Sequence, residues 1–157
     1  MYRTRYQVVP INEAACEDLQ VIGGSAPVVL VVDDEPNVAN SLATILSRMG
    51  FEARAAYSGR SAMMLAQERR PAVLISDIFM PGMDGVQLAI EMVESFPECK
   101  VTLFSGHATQ RELAKAREAG YEFPLLIKPV HPEKIIEHIW MRLRERSEFD
   151  AELRVST

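Results

Sequence analysis

Only two cysteines occur in 157 residues, Cys16 and Cys99, and they form neither a CxxC pair nor a bridging framework. A disulfide scaffold is excluded, and the pair reads as reduced thiols of a cytoplasmic protein. Histidine is equally scarce. His107, His131 and His138 show no paired ligand spacing, which argues against a zinc site. No apolar stretch approaches the ~20 residues that span a bilayer, and the N-terminus lacks the long apolar run of a secretory signal. Basic runs able to grip a phosphate backbone are missing too, since 17 Lys plus Arg face 22 Asp plus Glu, a net charge of −5. The expected partners therefore include neither membrane nor nucleic acid.

What remains is ordinary globular material. The chain is 48% hydrophobic and 25% charged, and its length favours one domain that can bury a real core. GGSAP at 23–27 reads as a linker, because paired glycines and a following proline break helix and strand alike. Residues 1–26 are then an N-terminal extension without an assigned role, in which Gln7 to Ile11 has strand character and Asn12 to Leu19 has helical character. Residues 27–146 form the domain, and 147–157 a short tail.

From Val28 onward the pattern is regular. The runs VVLVV (28–32), AVLIS (72–76), VTLFS (101–105) and LLI (125–127) have the length and branching of strands buried on both faces. FEARAAY (51–57) alternates, as an edge strand does. Helical periodicity fills the gaps at 37–49, 59–69, 85–96, 109–119 and 132 to about 146. The first places Val38, Leu42, Ile45, Leu46 and Met49 on one stripe, and the last does so with Ile135, Ile136, Ile139, Trp140 and Leu143. Strands alternating with helices predict a three-layer α/β fold: a doubly wound, five-stranded parallel sheet with five helices.

Ligands of such sheets gather outside the carboxyl ends of the strands. There the sequence sets Asp33, Asp34 and Glu35 after the first strand, Asp77 after the third, Ser105 after the fourth and Lys128 after the fifth. Clustered carboxylates repel one another, which a hard divalent cation relieves, and oxygen ligands suit magnesium. A hydroxyl, an ammonium and that metal can together bind the oxygens of a transferred phosphoryl group. Each residue also has a plainer reading. Asp34 before Glu35-Pro36 suits a helix N-cap, Asp77 a turn, Ser105-Gly106 a strand-to-helix bend and Lys128 a surface position. Four strand ends each supplying a suitable group make the set more specific than its parts.

VLVVDDEP (29–36), ISDIFMPGMDG (75–85), TLFSG (102–106) and IKP (127–129), in this order and spacing, resemble the receiver domain of two-component response regulators, of the chemotaxis-regulator type, over roughly residues 27–143. The resemblance implies a flavodoxin-like sheet in strand order 2-1-3-4-5. It implies that Asp77 is the phospho-acceptor and that Asp33, Asp34, Asp77 and the backbone carbonyl of Phe79 hold magnesium. Ser105 and Lys128 would bind phosphoryl oxygens, and the Lys128-Pro129 bond would be cis. It further implies a phosphohistidine donor, either a sensor kinase or a phosphotransfer protein, and an unknown downstream protein. A signalling domain rather than an enzyme is expected, as a monomer or weak dimer.

The sequence departs from the family pattern at three places. Leu125 stands where an aromatic is usual, the stretch 120–129 is one residue longer and contains Pro124, and Phe79 replaces a commonly polar residue. Tyr121 or Phe123 can take the place of the missing aromatic. About a dozen residues follow the fifth helix, too few for an output domain of ~50 residues, so a stand-alone receiver is expected. The alternatives are a pseudo-receiver that takes no phosphate and an aspartyl-phosphate phosphatase. The latter wants a second acid where Phe79 stands. A flavodoxin-like cofactor module is disfavoured because no Gly-rich or Ser/Thr-rich loop follows the first strand. Met63, Met64, Met80 and Met83 read as core and turn filling.

Overall fold

The apolar runs become the strands β1 (Val28–Val32), β2 (Glu52–Ala56), β3 (Val73–Asp77), β4 (Lys100–Ser105) and β5 (Leu125–Ile127). The helices between and after them are α1 (Pro36–Arg48), α2 (Gly59–Glu68), α3 (Gly85–Ser95), α4 (Gln110–Glu118) and α5 (Pro132–Val155). This structure, a computed structural model, describes residues 25–106 and 110–155, with side chains as far as 145. The expectations for 1–24, including Cys16 and the segments 7–11 and 12–19, lie outside the described residues, as does His107.

Among the described residues the four strand pairings are all parallel, and the order is β2-β1-β3-β4-β5. The alternating run at 51–57 is indeed an edge strand. Strand side chains alternate between faces, and the two cores follow that period. Leu30, Val32, Leu74, Val101 and Leu103 pack against α2, α3 and α4. Val29, Val31, Val73, Ile75 and Phe104 pack against α1 and α5 through Leu42, Leu46, Ile135, Ile139 and Leu143. The three layers follow directly, with the functional groups left at the carboxyl edge of the sheet.

Two local features differ from the sequence reading. The buried stripe of α1 is Ala39, Leu42, Ala43 and Leu46, one residue round from Val38 and Ile45, because small alanines allow the helix close to the sheet. Helix α5 runs to Val155 instead of ending near 146. Its apolar stripe stops at Leu143, but Glu, Arg, Ala and Leu are strong helix formers and carry the backbone on. Of the methionines, Met80 is buried and Met63 and Met83 pack on the core, whereas Met64 is exposed. Among the described residues no helix is long and apolar enough to cross a membrane.

Candidate functional site

Strand β1 ends at Val32, and the next residue, Asp33, is 3% exposed. Its backbone N–H donates to the Ala56 carbonyl at 3.2 Å, and its Oδ1 accepts from the Glu35 N–H at 3.0 Å. That turn fixes Asp33 and leaves Glu35, rather than Asp34, as the N-cap of α1, with Pro36 in the first turn and no side-chain capping bond. Asp34 is thereby released from helix capping and stands exposed beside its neighbour.

Asp77 closes β3, one strand over. Its carbonyl accepts from the Ser76 hydroxyl at 2.9 Å. Behind it Gly85 opens α3, so close that an added Cβ would stand 2.0 Å from the Asp77 carbonyl oxygen. Only glycine permits that approach. The Gly85 N–H donates to the Ile78 carbonyl at 2.8 Å, and Asp84 caps α3 by accepting from the Gln87 N–H at 2.8 Å. The loop carrying Phe79 is thus folded back onto the strand it leaves.

Lys128 arrives from β5. Its N–H donates to the Ser105 carbonyl at 2.7 Å, which ties the ends of β4 and β5 together, and Lys128-Pro129 is cis. The Lys128 ammonium donates to Asp33 Oδ2 at 2.9 Å and Asp77 Oδ2 at 3.4 Å, and lies 4.8 Å from the centroid of the Phe104 ring. One cation therefore bridges two carboxylates over an aromatic face.

Burial raises the Asp77 carboxyl above its ordinary value; Lys128 opposes this, Asp33 adds to it, and a backbone hydrogen bond from Phe79 lowers it again. Burial works against charge on Lys128, yet its bonds and attractions to Asp33 and Asp77 leave it raised. Carboxylate oxygens of Asp33, Asp34 and Asp77 all come within 4.8 Å of one another. Three converging carboxylates of graded exposure suit a hard divalent cation that keeps part of its water shell. The donor set therefore fits magnesium.

The structure brings together Asp33, Asp34, Asp77 and Lys128, and sets Ser105, fully buried, at the end of the neighbouring strand. Phe79 lies in the adjoining loop and is 47% exposed. Leu125 packs against the core on the α3–α4 side of the sheet, as does Phe123, which stacks on Tyr121 with ring centroids 5.8 Å apart. Sequence reasoning overlooked Gly85, although it closes the ISDIFMPGMDG motif. It also overlooked the bond between Thr102 Oγ1 and His138 Nε2, 2.8 Å across β4 and α5.

Parallel strands in the order 2-1-3-4-5, with acids and a lysine at their carboxyl edge, define a flavodoxin-like domain of the chemotaxis-regulator kind. Residues 29–140 match the response regulator receiver domain, and the chain belongs to that family of phospho-accepting modules in two-component signalling. The chemotaxis protein CheY of Thermotoga maritima is 31% identical over 110 residues, covering 69% of this chain and 91% of that protein. The regulatory protein AtoC of Escherichia coli is 37% identical over 101 residues, 64% of this chain and 22% of AtoC. The transcriptional regulatory protein PrrA of Mycobacterium leprae is 33% identical over 124 residues, 79% of this chain and 53% of PrrA. The chain thus spans about half or less of the length of these two longer regulators. Among solved structures, a CheY-like receiver from Methanospirillum hungatei superposes with a TM-score of 0.73 at 25% identity, covering 79% of this chain and 98% of the other.

Proposed function

We propose that Asp77 accepts a phosphoryl group from a phosphohistidine, presented by a sensor kinase or a phosphotransfer protein, and that the phosphorylated chain signals by binding a downstream protein in the cytoplasm. The observation that carries this reading is the convergence of Asp77, Asp33 and Asp34 with the Lys128 ammonium at one sheet edge.

A carboxylate oxygen of Asp77 attacks phosphorus in line. The N–P bond to the donor imidazole breaks, its electron pair returns to the ring, and an acyl phosphate remains. Asp33, Asp34, Asp77 and the Phe79 carbonyl would hold magnesium, which when bound supplies positive charge to offset that of the phosphoryl oxygens. The Lys128 ammonium, already 3.4 Å from Asp77, turns to one phosphoryl oxygen, and the Ser105 hydroxyl donates to another. Because the Ser105 carbonyl holds the Lys128 N–H, movement at the end of β4 is shared with β5. Phosphorylation then biases two arrangements of the loops after those strands, and the downstream protein selects one. The chain acts as a phospho-accepting signalling module that assists its own phosphorylation, not as an enzyme with a released product.

The test is incubation with magnesium and phosphoramidate, read by intact-mass and peptide mass spectrometry. One phosphoryl adduct on the peptide containing Asp77 is expected, and none in Asp77→Asn. An adduct at the same peptide in that variant, or none in the wild type, refutes the assignment.

A further inference from the structure

The loop between β3 and α3, residues 78–84, carries the backbone that faces the acidic edge. Ile78 and Met80 are buried and Asp84 caps α3, whereas Phe79, Pro81 and Gly82 are exposed. Gly82 makes the turn with φ of +76°. A further anchor comes from outside the loop's own strand and helix. Met83 lies along Gly59, the buried first residue of α2. A Cβ on Gly59 would stand 2.6 Å from Met83 Sδ, 2.8 Å from its Cγ and 2.9 Å from its Cβ. Carbon contacts settle near 3.5–4.0 Å, so the seat exists only because position 59 has no side chain.

That seat ties the acceptor loop to the start of α2, which is itself fixed by a reciprocal cap between Ser58 and Ser61. Without it, the exposed Phe79, Pro81 and Gly82 would be held by the buried Ile78 and Met80, the Gly85 N–H bond to the Ile78 carbonyl and the cap of α3. The Phe79 backbone is where such slack would be felt, since it stands two residues past Asp77 and is among the influences that lower the Asp77 carboxyl.

We propose that Met83, seated on Gly59, is a positioning residue for the acceptor site: it sets the height of the loop, and hence where the Phe79 carbonyl and the Asp77 carboxylate point. The inference rests on the reading of Asp77 given above and extends the site to a contact between α2 and the loop. Met83 touches neither phosphate nor metal. Leucine fills a similar volume and would keep the contact, whereas alanine at 83 empties the seat and alanine at 59 blocks it.

The experiment is calorimetric titration of the full chain with magnesium, alongside amide NMR of the metal-free protein. Met83→Ala and Gly59→Ala should each weaken magnesium about fivefold, just below the usual range for groups that support metal ligands. Met83→Leu should stay within about twofold, and the double variant should be no worse than either single, because both delete one contact. Val101→Ala, a cavity at the far end of β4, should lower the melting temperature without moving magnesium affinity. Wild-type affinity in Met83→Ala, or equal weakening in Val101→Ala, overturns the proposal. Should the wild type bind no magnesium, the reading of the acidic edge fails separately. The positioning claim is then decided by the metal-free amide shifts of Ile78 to Met80, which must move in Met83→Ala and return in Met83→Leu; unmoved shifts overturn it.

Discussion

Gly85 and Asp77 meet backbone to backbone: the first residue of α3 stands where any Cβ would lie 2.0 Å from the Asp77 carbonyl oxygen. Gly85→Ala must push the strand end or the helix aside. Overpacking of this kind costs about 1–3 kcal/mol, and denaturant unfolding should show that loss. The phosphoramidate reaction should slow by more than stability explains, since the displaced backbone belongs to the acceptor itself.

Lys128 neutralises an Asp33 side chain that is only 4% exposed. Lys128→Ala leaves that carboxylate buried without its counter-charge, a change that costs about 3 kcal/mol where burial is tight. Magnesium should recover much of the loss, so melts with and without the ion will differ more in this variant than in the wild type. The adduct on Asp77 should still form, but the chemical shifts that accompany phosphorylation should be lost.

Asp77 has a raised carboxyl, so the folded chain holds its proton more tightly than the unfolded chain does. The contribution of Asp77 to stability therefore falls as pH rises through the range just above the ordinary value of 3.8. In metal-free buffer at neutral pH, Asp77→Asn should melt higher than the wild type. Adding magnesium should narrow or reverse that order.

His138 behaves in the opposite sense. Burial, then the nearby Arg142, lowers its value from 6.5, so the unfolded chain takes up a proton that the folded chain resists. Stability should decline as pH drops below 6.5. His138→Gln, which can still bond Thr102, should flatten that decline in melting curves from pH 7 to 5.

Phe79 offers no hydrogen bond to water approaching an acyl phosphate on Asp77, and its exposed ring stands in the adjoining loop. Phe79→Asn supplies a polar group. One such bond of about 1 kcal/mol corresponds to about fivefold faster loss of phosphate, measured as decay of the adduct by mass spectrometry. A lifetime equal to or longer than that of the wild type counts against this role of position 79.

Strands were legible because a run such as Val28–Val32 admits few other readings once it is buried on both faces, and each strand end then delivered its polar residue to the same edge. Asp34 was harder to read. Whether it capped α1 depended on Asp33 taking the Glu35 N–H, a competition between adjacent carboxylates that composition does not rank. Gly85 and Gly59 read only as the first residues of helical segments, yet each is required by a group brought to it by folding: the Asp77 carbonyl and the Met83 side chain. The end of α5 was missed because the apolar stripe that marks a packed helix ran out before the helix did.

Asp33 and Lys128 are separated by 95 positions along the chain, and that distance gives the site a history during synthesis. Ribosomes add about 5–20 residues per second, so the acids emerge many seconds before the lysine that neutralises them. Docking of β5 rests on a three-residue strand paired to β4 alone. Until β5 pairs with β4, the Asp33 and Asp77 carboxylates lack the ammonium that bridges them in the folded domain, so the charge balance of the site is set by the last strand to be made.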